Sequence, residues 1–170
     1  MPANTPSICE EKTFTSIFRE YSETLHNYLF YKTGSQDMAF DLTQEAFMRL
    51  WQNCASVLFN SAKGYVFKTA NNLLLNQYDH QKVVLKFQQK PTVSHTNENP
   101  EFILEEKELK IQLEAAIAAL PEKQRVVFLM SRMDKKTYKE IAEILDISKQ
   151  AVEKRMYQAL DALRQVARIS

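Results

Sequence analysis

Residues 138–160 read YKEIAEILDISKQAVEKRMYQAL, and the fold turns on this stretch. Ile141 and Leu145 sit one turn apart on a single helical face, with Ala142 beside them. A small side chain there lets a second helix cross closely. Asp146 falls at the tight turn, where a left-handed backbone is often needed and Asp tolerates it. Ile147 is placed to plug the corner, and Ser148 to cap the N-terminus of a second helix. Val152, Met156, Ala159, Leu160 and Leu163 recur at helical spacing as that helix's buried stripe. Together these features form the pattern of a DNA-binding helix-turn-helix.

The outer face of the second helix holds Lys149, Gln150, Glu153, Lys154 and Arg155. Gln and Arg make bidentate contacts to base edges, and Lys holds phosphate. On that ground Gln150 and Arg155 are candidate base readers, and Lys149 and Lys154 candidate phosphate contacts. The local pattern also fits an ordinary αα-hairpin with a solvated charged face; local charge separates the two. Residues 101–122 carry six acids and two bases, whereas residues 123–155 carry nine bases and five acids. The two blocks cancel in the net charge of +1. A basic block on the helix-turn-helix is the footprint expected for a duplex.

Working toward the N-terminus, Thr137-x-x-Glu140 has the form of a capping box that starts the first helix of the pair. Upstream, Val126, Val127, Phe128 and Met130 mark a helix for which Pro121 suits the first turn. Before it, Leu109, Leu113, Ala116, Ile117 and Leu120 make another apolar stripe. Residues 88–100, QQKPTVSHTNENP, have loop composition and no stripe. They divide the chain into a front domain (residues 1–87), a flexible linker (88–100) and a back domain (101–170). In the front domain, Phe14, Ile17, Phe18, Tyr21, Leu25, Tyr28 and Leu29 predict an amphipathic helix ended by Gly34. A second helix is expected over residues 36–52, with Leu42, Ala46 and Leu50 buried and Asp37, Asp41, Gln44, Glu45 and Met48 opposite. A loop over 53–61 and a long helix from Ala62 past Tyr78 follow.

Composition agrees. Only two of 170 residues are glycine, and the 84 residues between Pro6 and Pro91 contain no proline. Hairpin turns lean on glycine and helices exclude proline, so the fold class is all-α: two small helical domains, the second with the helix-turn-helix. Cys9 and Cys54 stand alone, without a C-x-x-C, and are expected as reduced thiols. No apolar run approaches a membrane span, and the N-terminus lacks a signal peptide's features, so a cytoplasmic location is expected. His26, His80 and His95 are scattered, and no P-loop, G-x-S-x-G or H-E-x-x-H occurs. No catalytic residue, metal or cofactor is expected.

Two motifs in order, joined by a linker, resemble the bacterial RNA polymerase sigma factors of the extracytoplasmic-function group, over nearly the whole chain from Phe14 to Arg164. TGSQDMAFDLTQEAFMRLW, residues 33–51, is similar to that group's core-binding helix. KGYVFKTANNLLLNQ, from Lys63, is similar to the segment that opens and reads the −10 element. LPEKQRVVFLM, from Leu120, through the helix-turn-helix, is similar to the −35 reader. The resemblance implies that Asp41, Gln44 and Glu45 meet core RNA polymerase. It implies a pocket over residues 53–61 for an extruded base, with Lys63, Tyr65, Lys68, Asn71 and Asn72 supplying −10 contacts. An anti-sigma factor, often membrane-anchored, is implied as a further partner.

This chain departs from the group's pattern at several places. Residues 76–81, NQYDHQ, stand where the group is strongly basic, and Asn71 replaces a commonly basic residue. Gln158 and Leu160 stand at positions often occupied by Arg. These changes point to altered promoter choice. A helix-turn-helix regulator that is not a polymerase subunit is the competing class; the proline-free helical front with DLTQE argues against its usual α/β front domain.

Overall fold

A computed structural model describes residues 4–77 and 100–169. Among the described residues the secondary structure is helical, without strands. The chain divides into two compact units, residues 1–82 and 83–170. The expected linker lies outside the described residues except for Pro100, which opens a helix, as proline can at a first turn. Residues 78–81 of the NQYDHQ stretch also lie outside them.

The first unit packs α1 (Glu11–Thr33), α2 (Gln36–Gln52) and α3 (Ala62–Gln77), with a 3₁₀ turn at Phe59–Ser61 before α3. Gly34 ends α1 at φ 71°, its N–H donating to the Phe30 carbonyl at 2.7 Å. Ser35 caps α2, its Oγ accepting from the Met38 N–H at 3.2 Å. Leu25 and Leu29 of α1, Leu42, Ala46 and Leu50 of α2, and Val66, Ala70 and Leu74 of α3 form the core. The buried alanines let the helices approach closely, and each buried leucine contributes about 1.5–3 kcal/mol. Edge-to-face rings extend this core outward: Phe14 meets Trp51 at 5.1 Å, and Phe18 meets Phe47 at 4.9 Å.

One expectation is overturned in this unit. Cys9 and Cys54 are not separate thiols but a disulfide, with Cα atoms 5.1 Å apart across 45 residues of sequence. Buried Ile8, 1% exposed, docks the segment preceding α1 and carries Cys9 to the α2–α3 loop.

The second unit contains α4 (Pro100–Ala119), α5 (Glu122–Arg132), α6 (Tyr138–Leu145) and α7 (Lys149–Ile169). Its core is Ile117 and Leu120, Val126, Val127 and Met130, Ile141, and Val152, Met156 and Ala159. Pro121 occupies the N-cap of α5, one position before the first turn expected for it. Arg125 is buried, and its Nη1 donates to the carbonyls of Leu120 at 2.9 Å and Ala118 at 3.2 Å. The guanidinium thereby satisfies carbonyls that the end of α4 leaves unpaired. The expected α4 stripe is buried only at its C-terminal end. Leu109 and Leu113 are exposed, because within this unit packing reaches only the last turns of the helix.

Candidate nucleic-acid interface

In the second unit, local chemistry sets the helix-turn-helix. The Thr137 Oγ1 accepts from the Glu140 N–H at 3.2 Å, and the Glu140 carboxylate accepts from the Thr137 N–H at 2.7 Å. This reciprocal box starts α6. The Thr137 backbone hydrogen bond, then the bond to its hydroxyl, holds the Glu140 carboxyl below its ordinary pKa. Asp146 turns the chain in the left-handed region at φ 53°, and the Ile147 N–H donates to the Ala142 carbonyl at 3.1 Å. Ser148 then caps α7, its Oγ accepting from the Ala151 N–H at 3.1 Å. Ile147 is half-buried at the corner.

Lys149, Gln150 and Lys154 are exposed at the start of α7. Lys149 Nζ lies 3.8 Å from the Glu153 carboxylate, a solvated pair that costs little to exchange for a phosphate. Arg155 is half-buried on the flank of the exposed face. Tyr157, exposed, follows Gln150 and Lys154 at i, i+4, i+7 spacing. Sequence reading missed it, although this periodicity places it on the same face. Gln158 accepts a hydrogen bond from Gln124 of α5 at 3.4 Å.

In the first unit, Ser56, Leu58, Asn60, Gly64, Tyr65 and Lys68 line an open cleft of about 600 Å³. The space beside Gly64 is open, since a Cβ there would meet nothing within 4 Å. Asn53 shapes its edge, with Nδ2 donating to the Arg49 carbonyl at 2.8 Å and to the Tyr65 hydroxyl at 3.1 Å. Leu58 stands exposed beside it. Tyr65 and Lys68 therefore come together, with Asn72 exposed one turn further along α3. Lys63 is half-buried and does not line the cleft. Asn71 turns toward α1, where its Oδ1 accepts from Lys32 Nζ at 2.9 Å and from the Tyr28 hydroxyl at 3.1 Å. An ammonium only donates, so the Asn71 amide is fixed with its NH₂ away from Lys32.

The outer face of α2 carries exposed Asp41 and Gln44, and Glu45, which pairs with Arg49 Nε at 3.0 Å. Phe40 and Met48 are exposed on the same helix, making the surface mixed acidic and apolar. Phe40 was not anticipated; it lies one turn from Gln44. No helix of the described residues is long and apolar enough to cross a membrane.

Residues 17–83 match the protein family described as Sigma-70 region 2, and residues 110–163 match that described as Sigma-70, region 4. The ECF RNA polymerase sigma factor SigW of Bacillus subtilis is 26% identical over 170 residues, covering 94% of this chain and 91% of that protein. The ECF RNA polymerase sigma factor SigE of Mycolicibacterium smegmatis is 23% identical over 156 residues, 89% of this chain; the chain spans 60% of that protein's length. The sigma factor RpoE of Bartonella quintana, solved in complex with the anti-sigma factor NepR, aligns over 94% of this chain and 99% of its own, with a TM-score of 0.55 and 17% identity. That likeness is one of fold.

Proposed function

The chain belongs to the extracytoplasmic-function group of bacterial RNA polymerase sigma factors, and we propose that it is the subunit through which core RNA polymerase finds and opens promoters. The observation that carries this reading is the pairing of a region 2 match with a region 4 match, in that order, in one chain. The chain is an initiation factor; the polymerase does the phosphodiester chemistry. It works in the cytoplasm, where polymerase and chromosome are.

The two domains, residues 1–87 and 101–170, divide the work across the linker at 88–100. Asp41, Gln44 and Glu45 contact a basic, polar surface of core polymerase. Phe40 and Met48 add apolar area to that contact. The cleft beside Tyr65 and Lys68 receives an extruded base of the −10 element. Flipping a base costs a few kcal/mol, roughly offset by stacking and edge contacts. Asn72 and Lys68 hold the strand, Lys63 contributes at the margin, and Asn71, its carbonyl occupied, offers only donors. At the −35 element, the N-terminal part of α7 enters the major groove. Gln150 and Arg155 read base edges, and Lys149 and Lys154 hold phosphates.

An anti-sigma factor, often membrane-anchored in this group, completes the partners; the Bartonella relative is crystallised with one. The test is holoenzyme binding to single-base variants of the −35 element. Gln150→Ala is expected to relax preference at one base pair, at a cost of about 1–3 kcal/mol. Lys154→Ala is expected to weaken all sequences alike. If neither variant changes affinity, α7 does not read the promoter.

A further inference from the structure

A protein that works in a reducing compartment has no ordinary use for a permanent disulfide; cytosolic disulfides are mostly transient and redox-sensing. Yet Cys9 and Cys54 are joined, and neither cysteine is free. Their placement is specific. Cys54 directly follows Asn53, which both ends α2 and holds the Tyr65 hydroxyl at the cleft. The loop beyond it is tied by short local bonds, the Ser56 N–H and hydroxyl both donating to the Asn53 carbonyl at 3.0 Å. The disulfide links this loop covalently to the docked segment before α1. Cys9 is exposed and Cys54 only half-buried, so the bond is open to attack from solvent. Ile8, fully buried next door, anchors the segment by a contact separate from the bond.

We propose that Cys9 and Cys54 are a reversible thiol–disulfide site that sets the order of the loop beside the cleft, and so couples −10 reading to the thiol redox state of the cell. The reductant is a dithiol carrier. One of its thiolates attacks the Cys9 sulfur, the Cys9–Cys54 bond breaks, and Cys54 leaves as a thiolate that takes up a proton. The carrier's second thiol resolves the mixed disulfide, releasing Cys9. Two electrons pass to the protein, and the carrier becomes a disulfide. A disulfide-form carrier reverses every step. The oxidised chain holds the loop as described above; the reduced chain lets residues 53–61 open more readily.

The role at the promoter rests on the sigma-factor reading; the redox site does not, and the experiment separates them. Full-length protein is equilibrated in buffers of reduced and oxidised glutathione, and its thiols are counted by maleimide alkylation. Hydrogen exchange over residues 53–61 is then followed in both states without polymerase. Expected are complete interconversion and exchange at least about tenfold faster in the reduced form. With core polymerase, the oxidised form should bind −10 fork DNA about fivefold or more tightly than the reduced form. Cys9→Ser and Cys54→Ser should match the reduced form in every buffer. A bond that never forms or never opens in these buffers, or loop exchange identical in both states, overturns the redox site. Equal −10 binding by both states overturns its coupling to the promoter. A chain that initiates in neither state refutes the sigma-factor reading, while the exchange result still decides the redox site.

Discussion

Arg125 offers a quantitative test of how the second unit is held. It is 3% exposed, and its guanidinium donates to two carbonyls at the end of α4, Leu120 and Ala118. Replacing it with methionine keeps most of the aliphatic stem and removes the donors. Hydrogen bonds from a charged group contribute about 1.5–3 kcal/mol each, and relief of the buried charge returns part of that. The Leu120 bond is buried and counts fully; the Ala118 bond is partly solvated and counts less. The net loss is about 2–4 kcal/mol. For a unit of this size each kcal/mol lowers Tm by about 4–8 °C, so the drop should be at least about 8 °C. Calorimetry of the full-length protein should show the transition of α4–α7 moving while that of α1–α3 stays. An Arg125→Met transition within about 2 °C of the parent would refute the reasoning. It would mean that water replaces the guanidinium at those carbonyls.

Thr137→Ala removes one side of the capping box and should cost about 1 kcal/mol, read as a lower Tm of the same transition. The lowered carboxyl of Glu140 gives a pH signature. Its contribution is present above the unfolded pKa and is lost as pH falls through the lower folded one. The stability gap between the parent and Glu140→Gln should therefore be level near neutrality and shrink on acidification, as followed by circular dichroism melts. Charge reversal of Asp41 and Glu45 together should weaken core-polymerase capture in a pull-down while helicity is unchanged; undiminished capture removes α2 from that contact. Limited proteolysis should cut between residues 88 and 101 and release two folded fragments, and cuts inside helices with the linker intact would break the proposed domain division.

Much of this molecule is legible in its sequence because local chemistry decides it. Gly34, Thr137, Asp146 and Ser148 each act within one helical turn, and all occupy the caps and turns expected of them. What escaped depends on tertiary approach. The Cys9–Cys54 bond requires Ile8 to dock, and no spacing between two cysteines encodes that. Arg125 enters the sequence reading only as one of the nine bases of the 123–155 block, yet it is buried against the end of α4. Leu109 and Leu113 read as core by periodicity, but periodicity gives a face and not how far a neighbour extends along it. Within the site, Lys68 and Tyr65 meet at the cleft as their spacing on α3 suggests. Asn71 is drawn to Lys32 across 39 residues, a partnership visible only once α1 and α3 pack.

The central claim is that one chain directs core RNA polymerase to promoters by reading two elements. Run-off transcription with core polymerase and the full-length protein, over a promoter library varied at both elements, tests it most directly. Transcripts with a defined start are expected, requiring both a −35 and a −10 sequence and disappearing when Asp41 and Glu45 are reversed in charge. Absence of a transcript on every promoter, with duplex binding by the protein alone unaffected by added polymerase, would contradict it.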